Sequence, residues 1–282
     1  MRTQWRRPPL PTPKPLDPLP EGTQTILREG DSAVAYHIPI TPLTHTTTIS
    51  IPKDSTWTSG LHWHTTHTEY LRLLHGSIYL RLNNEVKILS AGDAEEGGDV
   101  TVRVDKGVRH NWGRAQQHLQ RVELGVPLHR MKPSPRELDE EVVVEEWTEP
   151  RDGEKALFFW NLNNLLLYPD KAPDPRPGRV LRRALGKWWM SLQLFIIFLE
   201  LDNLPVLLDL GSFFGEQFEG QEWIQGIGMW FAHVGEWALT GFVLLFAGFV
   251  GRLVGLQAVS EGRTPKELWE DWVGIKEAKK VK

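Results

Sequence analysis

Three histidines and a glutamate lie within residues 62–69, in the stretch HWHTTHTE. His62 and His64 are two positions apart, so on a β-strand both imidazoles point to the same face. Glu69 has the opposite parity and reaches that face only if the chain bends at residues 65–68. Because the chain contains no cysteine, a metal ion bound here must be held by nitrogen and oxygen ligands. The stretch is therefore either a metal site or a polar turn.

Two spacings around these residues match known motifs. Six residues separate Glu69 from Gly76, which gives H-x-H-x4-E-x6-G, and downstream Gly107 precedes His110 by three positions. In these features the chain resembles the cupin superfamily (RmlC-like cupin domain proteins) over about residues 23–130. The resemblance implies an all-β barrel, a jelly roll or double-stranded β-helix, with a metal centre inside it. The metal ligands that it implies are His62, His64, Glu69 and His110.

The ligand chemistry agrees with this resemblance. Three imidazoles and one carboxylate leave open positions on an octahedral metal ion, where O2 or a chelating oxygen ligand can bind. Nitrogen and oxygen ligands without thiolate favour Fe(II) or Mn(II), while Ni(II), Cu(II) and Zn(II) also accept them. His67 and His75 fall outside the motif, and we expect surface or supporting roles for them.

Strand parity predicts the pocket around the metal. If Glu69 points inward, Leu71 and Leu73 do so as well, and Trp112 shares the face of the last ligand histidine. Trp63 lies on the opposite face and should pack outside the pocket. The predicted lining is apolar with few charges and consists of Leu71, Leu73 and Trp112. It suits an apolar substrate that has a single metal-chelating end.

The sequence before residue 131 also has the local pattern of a barrel. Short β-prone runs at residues 32–40, 44–52, 69–76, 77–89, 100–104 and 121–128 are separated by Gly, Asn and Asp. Strands this short and frequent predict a sandwich or barrel, and LNNE at residues 82–85 predicts a tight hairpin. Seven prolines within residues 8–20 predict a disordered lead-in, or alternatively a ligand for an SH3-like domain.

The C-terminal half has a different composition. Residues 188–251 contain no lysine or arginine, and apolar segments at 184–201 and 224–250 flank an acidic loop. These segments predict a transmembrane hairpin. By the positive-inside rule, the barrel and the C-terminus would face the cytosol and the acidic loop would cross the membrane. A soluble, cytoplasmic helical domain is the alternative. No continuous apolar core occurs in the first thirty residues, so we expect no signal peptide.

Smaller features refine this half of the chain. Ala247, Gly251 and Gly255 form a small-xxx-small ladder that lets another helix approach closely. A homodimer could therefore form through this helix or through the barrel. His233 and Glu236 lie three apart, and we expect structural pairing of these two polar groups. The tail is expected to form an amphipathic helix against a membrane surface or against the hairpin.

These observations divide the chain and predict its function. The predicted segments are a disordered lead-in (1–22), the cupin barrel (23–130), a connector with a short apolar helix (131–178), a transmembrane hairpin (179–255) and an amphipathic tail (256–282). We expect a membrane-tethered, Fe(II)-type oxygenase acting on an apolar small molecule. A metal-dependent isomerase or cyclase and a non-catalytic ligand-binding barrel are the alternatives. The layout resembles cupin-domain proteins of filamentous fungi, some of which act in secondary metabolism. The net charge of −4 gives no reason to expect nucleic-acid binding.

Overall fold

The computed structural model describes residues 9–93, 99–122, 138, 140–171, 175–212 and 222–281. Within them lie eleven β-strands and six α-helices. The strands are β1 (Thr23–Arg28), β2 (Val34–Pro39), β3 (Thr47–Ile51), β4 (His62–Trp63), β5 (Thr68–His75), β6 (Ser77–Leu82), β7 (Glu85–Ser90), β8 (Val100–Val104), β9 (His110–Arg114), β10 (Val142–Glu149) and β11 (Leu204–Pro205). The helices are α1 (Ala115–Val122), α2 (Glu154–Leu167), α3 (Arg176–Leu185), α4 (Trp188–Glu200), α5 (Glu222–Val254) and α6 (Lys266–Val281).

The strands form two antiparallel sheets that pack face to face. The strand order is β1-β2-β3-β10-β5-β8 in one sheet and β11-β4-β9-β6-β7 in the other. Trp112 of β9 spans the space between them, donating its indole N–H to Glu146 of β10 at 2.7 Å. Along β5, Leu71 and Leu73 are buried while Tyr70 and Arg72 are partly exposed, as strand parity predicts. This is the expected jelly-roll arrangement.

Most predicted strand runs are strands in the structure. The runs at 32–40, 44–52, 69–76, 77–89 and 100–104 contain β2, β3, β5, the β6–β7 hairpin and β8. Asn83 in the hairpin turn has a positive φ of 53°, a conformation that asparagine tolerates better than most residues. The run at 121–128 differs, because its first two residues end α1. Its other residues, 123–128, lie outside the described chain.

The barrel extends beyond the predicted boundary at residue 130. β10 pairs with β3 on one side and with β5 on the other, so it occupies the middle of the six-stranded sheet. The sequence prediction placed these residues in a connector because the chain was expected to become helical after Pro133. The β5–β10 pairing therefore closes the barrel with a segment from the predicted connector.

The lead-in is only partly as predicted. Residues 9–22 are described, and Pro13 is buried among them. The amide of Leu16 donates a hydrogen bond to Nε2 of His37 on β2, at 3.0 Å. This part of the predicted disordered segment is therefore attached to the barrel, and residues 1–8 lie outside the described chain.

The helices share one hydrophobic core with the barrel. Phe158 and Phe159 of α2 belong to the same buried cluster as Tyr36 and Leu71 of the sheets. The cluster continues through α4 to Leu268 and Trp272 of α6. The tail helix therefore rests on the protein, which was one of its two expected positions. The helices therefore do not form a hydrophobic core separate from that of the barrel.

The described residues do not form the predicted transmembrane hairpin. The first segment forms α4, whose 13 residues extend only about 20 Å, against about 30 Å of hydrocarbon. The acidic loop was expected across the membrane from the barrel, but its described part, residues 202–212, is bound to the barrel. Leu204 pairs with Trp63 in β4, and Asp209 accepts a hydrogen bond from Arg81 of β6 at 2.6 Å. A membrane cannot separate groups that are in direct contact.

Helix α5 has one face on the protein. The segment Ile227–Val254 is long and apolar enough to cross a membrane by length and composition, and 28% of it is buried. Glu236 does not pair with His233 as expected. It accepts a hydrogen bond from Nη1 of Arg109 at 2.5 Å, and both side chains are almost fully buried. Trp63, outside the metal pocket as predicted, stacks on Trp237 with ring centroids 5.3 Å apart.

The small-residue ladder serves an intramolecular contact. A Cβ at Gly251 would overlap Cδ1 of Ile196, and a Cβ at Gly248 would lie 2.7 Å from Leu199. Both neighbours belong to α4 of the same chain. The structure thus uses Gly251 for a contact within one chain, and a homodimer through this helix or through the barrel stays a prediction.

The Arg109–Glu236 ion pair gives a test of helix docking. Removing one partner leaves the other charge buried and unpaired. Arg109→Ala and Glu236→Ala should therefore each lower the free energy of unfolding by about 3–5 kcal/mol. Urea unfolding of the full chain measures the change. The double variant Arg109→Met/Glu236→Met should lose much less than the sum of the two single losses. Single variants as stable as the parent would show that α5 is not docked through this pair.

Candidate metal centre

The four predicted ligands meet between the two sheets. His62 and His110 are register partners on β4 and β9, and Glu69 enters from β5 in the opposite sheet. His64 follows β4 directly. All four side chains are buried, and one ligand atom from each can be chosen so that all lie within 4.8 Å of one another.

The parity conflict between His62 and Glu69 is resolved by a corner. The chain leaves β4 after Trp63 and begins β5 at Thr68, in the other sheet. Alternation along one strand no longer applies across such a corner. The bend expected at residues 65–68 is thus the crossing from one sheet to the other, and it turns Glu69 toward the histidines.

Asp202, far away in the sequence, holds this corner. Its carboxylate accepts hydrogen bonds from the backbone N–H groups of Thr65, Thr66 and His67, at 2.7, 2.8 and 3.1 Å. Its backbone carbonyl accepts a hydrogen bond from Nδ1 of His64. One residue between α4 and β11 therefore fixes both the backbone of the corner and the orientation of one imidazole.

The hydrogen bonds of the three imidazoles define their tautomers. Nδ1 of His62 lies 2.8 Å from the Gly60 carbonyl, and Nδ1 of His110 lies 2.9 Å from the Val108 carbonyl. His64 makes the equivalent bond to Asp202. A carbonyl oxygen only accepts, so in each neutral ring the proton is on Nδ1 and Nε2 carries a lone pair. Carbonyl anchoring of the second ring nitrogen is typical of metal-binding histidines.

The Nε2 atoms lack suitable partners within the protein. Nε2 of His62 is buried without a hydrogen bond. Nε2 of His64 and of His110 face the Glu69 carboxylate at 3.0 and 3.2 Å. Lone pairs on both sides of these contacts repel, and a cation placed among the four groups would satisfy them all. The donor set therefore fits a divalent metal ion.

The electrostatics favour the required protonation states. Burial lowers the pKa of His62 well below its ordinary value and lowers that of His64 as well. Burial would raise the pKa of Glu69, but the Lys155 ammonium group beside it opposes burial, and that pKa lies well below normal. Neutral imidazoles and an ionised carboxylate are the forms that bind metals.

Two functional residues escaped the sequence analysis. Lys155, at the start of α2, is buried, and its ammonium group pairs with Glu69 and, at 3.3 Å, with Glu146 of β10. Burial raises the pKa of Glu146. Burial alone would lower the pKa of Lys155, but Glu146 and Glu69 raise it. The prediction of a pocket with few charges is therefore wrong. A lysine at the head of the apolar run ALFFW was the signal available in the sequence.

A cavity of about 350 Å³ opens beside His62. His62, Lys155 and Glu146 reach it, and so does Arg28. Its aromatic walls are Tyr36, Trp57, Phe158, Phe159 and Phe198. The predicted lining residues Leu71, Leu73 and Trp112 are buried as expected. They belong to the core of the barrel, and the walls of this cavity come from other residues, four of them on α2.

His67 is part of a separate buried network beside the centre. Its Nδ1 lies 2.8 Å from the Asp202 carboxylate and its Nε2 lies 3.0 Å from Asp152, just before α2. Burial opposes protonation, but the two carboxylates outweigh it and raise the pKa of His67 to about 9. An imidazolium ion therefore joins three parts of the chain. His75, by contrast, is exposed, with its Nδ1 2.7 Å from the Glu141 carbonyl.

No family model matches the sequence, and no curated protein matches it. Several solved structures resemble it. The Drosophila melanogaster CENP-C cupin domain is 12% identical, with 45% of this chain and 76% of that chain covered and a TM-score of 0.28. The capsular polysaccharide assembling protein CapF from Staphylococcus aureus is 17% identical, with coverages of 46% and 30% and a TM-score of 0.27. A putative sugar phosphate isomerase from Acidithiobacillus ferrooxidans is 12% identical, with coverages of 43% and 61% and a TM-score of 0.27. Such values carry no argument about activity.

The ligand set predicts metal content. His62→Ala, His64→Ala and His110→Ala should each lose most of the bound metal, because each removes one of the converging lone pairs. Elemental analysis of the purified full chain measures metal per protein. His75→Ala, which changes an exposed histidine outside the cluster, is the control and should keep the parental content. Parental content in His110→Ala would exclude this residue as a ligand.

The corner predicts a long-range effect on metal affinity. Asp202→Asn weakens the hydrogen bonds from the three backbone amides of the corner. It should lower the affinity for the metal about 10–100-fold, as the loss of groups that support metal ligands does. A competition titration with a chelator measures this change. Asp209→Asn, in the same segment but paired with Arg81, should leave the affinity within about twofold. Equal affinities for both variants would contradict the role assigned to Asp202.

The His67 network predicts a pH dependence of stability. Its folded-state pKa of about 9 lies above the ordinary value of 6.5. The stabilisation is therefore complete below about pH 6.5 and is lost as the pH rises through 9. We expect the free energy of unfolding to fall by about 3 kcal/mol over this window. Urea unfolding of the parent and of His67→Gln across the window measures it. Parallel curves for the two proteins would refute the prediction.

Proposed function

We propose that this protein is a metal-dependent cupin enzyme that oxidises an apolar small molecule carrying one oxygen group able to chelate the metal. The observation that supports this most directly is the convergence of three imidazole Nε2 atoms and one carboxylate beside an aromatic cavity. A divalent ion held there, with Fe(II) or Mn(II) favoured by the ligands, would supply redox or Lewis-acid chemistry.

The cavity suits the apolar part of such a substrate. Five aromatic side chains form much of its wall, and they offer large rigid surfaces that exclude water from the site. The polar groups gather near His62, where Lys155 and Glu146 reach the cavity. We infer that the apolar body lies against the aromatic wall and that an oxygen end points toward these groups.

Glu146 is our candidate for proton transfer. One of its oxygens is fixed by the indole N–H of Trp112 at 2.7 Å, and the other lies 3.3 Å from Nζ of Lys155. Burial raises its pKa toward the range in which a carboxyl group can both hold and release a proton. Lys155, whose ammonium group lies between two carboxylates, keeps the cavity from accumulating negative charge.

A second candidate function follows from the same pair of residues. A buried acid beside the ligand histidines also suits a metal-dependent isomerase or cyclase, in which protons move and O2 is not consumed. The non-catalytic ligand-binding barrel is the third possibility. A role in fungal secondary metabolism belongs to the proposal only through the resemblance in layout stated above.

Oxygen consumption separates these functions. The metal-loaded full chain is incubated with a panel of apolar acids, phenols and ketones while dissolved O2 and products are followed together. Substrate loss coupled to O2 uptake supports the oxygenase, and product formation without uptake supports the isomerase or cyclase. Binding without product would leave a ligand-binding protein and contradict both enzymatic functions.

Glu146 gives a test within the site. Glu146→Gln should keep the metal but lower kcat by about 10²–10⁴-fold, the usual contribution of a general acid or base. Its rate should also lose the dependence on pH that the carboxyl imposes. The matched control is Glu145→Gln, because Glu145 is the preceding residue of β10 and its side chain pairs with Arg72 outside the barrel. Parental turnover in Glu146→Gln would exclude a proton-transfer role for this residue.

A further inference from the structure

Helix α5 exposes an apolar surface that the proposed function does not use. Ten large apolar side chains of this helix are each at least 45% exposed. At about 100° per residue they occupy roughly half of the helix circumference. The residues of this exposed half are Ile227, Trp230, Phe231, Val234, Trp237, Phe242, Leu245, Phe246, Phe249 and Leu253.

The other half of α5 is buried against the rest of the protein. Ala232, Glu236, Thr240, Leu244 and Ala247 are all buried on this side. Glu236 pairs with Arg109 of the barrel, and Thr240 donates a hydrogen bond to the Pro205 carbonyl of β11 at 3.1 Å. Lipid cannot surround a helix whose other side is bound to a polar part of the barrel. The exposed half can meet a membrane only with the helix lying along it.

The width and polarity of the exposed half favour lipid over a second protein helix. An apolar arc of roughly 180° is wider than the seam that one partner helix covers in a coiled coil. The sequence from 227 to 251 contains one charged residue, Glu236, and that side chain is buried in its ion pair. The exposed half therefore carries no charged side chain between residues 227 and 251, unlike most protein–protein interfaces, which mix apolar and charged residues.

Basic residues lie beside the C-terminal end of this surface. Helix α3 packs against α4 and α5, and a Cβ at Gly255 would lie 3.4 Å from Pro175, just before α3. Arg179, Arg183 and Lys187 are exposed there, and so is Arg252 at the end of α5. Trp188, next to Lys187, is 63% exposed. Cationic and tryptophan side chains next to an apolar helix face suit the headgroup region of an anionic membrane.

We propose that α5 inserts its exposed half into one leaflet of an anionic lipid bilayer and lies in the membrane plane. The basic residues of α3 contact the headgroups, and the barrel with its metal centre stays in water on the same side. This arrangement retains a membrane association for the chain but replaces the spanning hairpin by an interfacial helix. It does not depend on the reaction proposed for the metal centre.

The absence of cysteine from the sequence permits a direct measurement of depth. Single variants Phe231→Cys, Phe242→Cys and Phe249→Cys are labelled with an environment-sensitive fluorophore in the full chain. Leu43→Cys, at a position that is 88% exposed and far from α5 in sequence, is the control. Vesicles of phosphatidylcholine and phosphatidylserine, at about three to one, are then added. The three α5 labels should shift to the blue and show similar shallow quenching by spin-labelled lipids, and the control should not shift.

Partition measurements identify what drives binding. Phe242→Ser/Phe246→Ser/Phe249→Ser should weaken partition into these vesicles by roughly a hundredfold, and Leu43→Ser should not change it. Arg179→Gln/Arg183→Gln should weaken binding to vesicles with phosphatidylserine, by about tenfold, and not to phosphatidylcholine alone. Circular dichroism of each variant confirms that it is folded.

Several results would overturn the proposal. If the folded parent protein does not bind the vesicles, α5 is not a membrane contact. If the triple variant binds them as strongly as the parent protein, the contact lies elsewhere in the chain. A label depth that varies strongly along α5 would mean that the helix crosses the bilayer. A vesicle-free dimer that the triple variant dissociates would assign the exposed half to a second copy of the chain.

Discussion

The hydrogen bonds of Asp202 are the constraint on which the rest of the centre depends. Its carboxylate binds three successive amides of the β4–β5 corner, and its carbonyl orients His64. The corner turns Glu69 from one sheet toward the histidines of the other. Because Asp202 lies two residues after the end of α4, the helical half of the chain takes part in forming the candidate metal centre. A barrel without this half would lose the hydrogen bonds that hold the corner before Glu69 and the carbonyl that orients His64.

The same dependence appears at Lys155 and Glu146, which come from α2 and β10. Their charges lie in the barrel interior, where an unpaired ion is costly. The Lys155 ammonium group is balanced there by Glu69 and Glu146, and Glu146 is balanced by Lys155. The barrel and the helices therefore share an electrostatic network as well as a hydrophobic core. This sharing explains why the division of the chain at residue 130 fails, although the composition changes near that point.

Helix α5 combines two surfaces that sequence composition does not separate. One side is bound to the barrel through Arg109 and to α4 through its small residues, and the other exposes aromatic and aliphatic side chains. Averaged along the sequence, the two sides together have the apolar character of a membrane span. The burial of Glu236 in an ion pair removes the charge that would otherwise argue against insertion. Docking on one side leaves the other side exposed, and the interfacial position that we propose would cover it.

The sequence by itself determined what depends on local spacing. The resemblance of two sequence motifs to the cupin superfamily supplied the ligand candidates at 62, 64, 69 and 110. Strand parity and turn chemistry predicted the inward direction of Leu71 and Leu73 and the turn at Asn83. The tertiary structure decided what depends on contacts between distant residues. It placed β10 within the sheet, Asp202 at the corner, Lys155 in the centre and α4 against the glycines of α5. These pairings join residues up to 138 positions apart. No local pattern encodes them, because a long-range contact is determined by the shape and charge of both partners together.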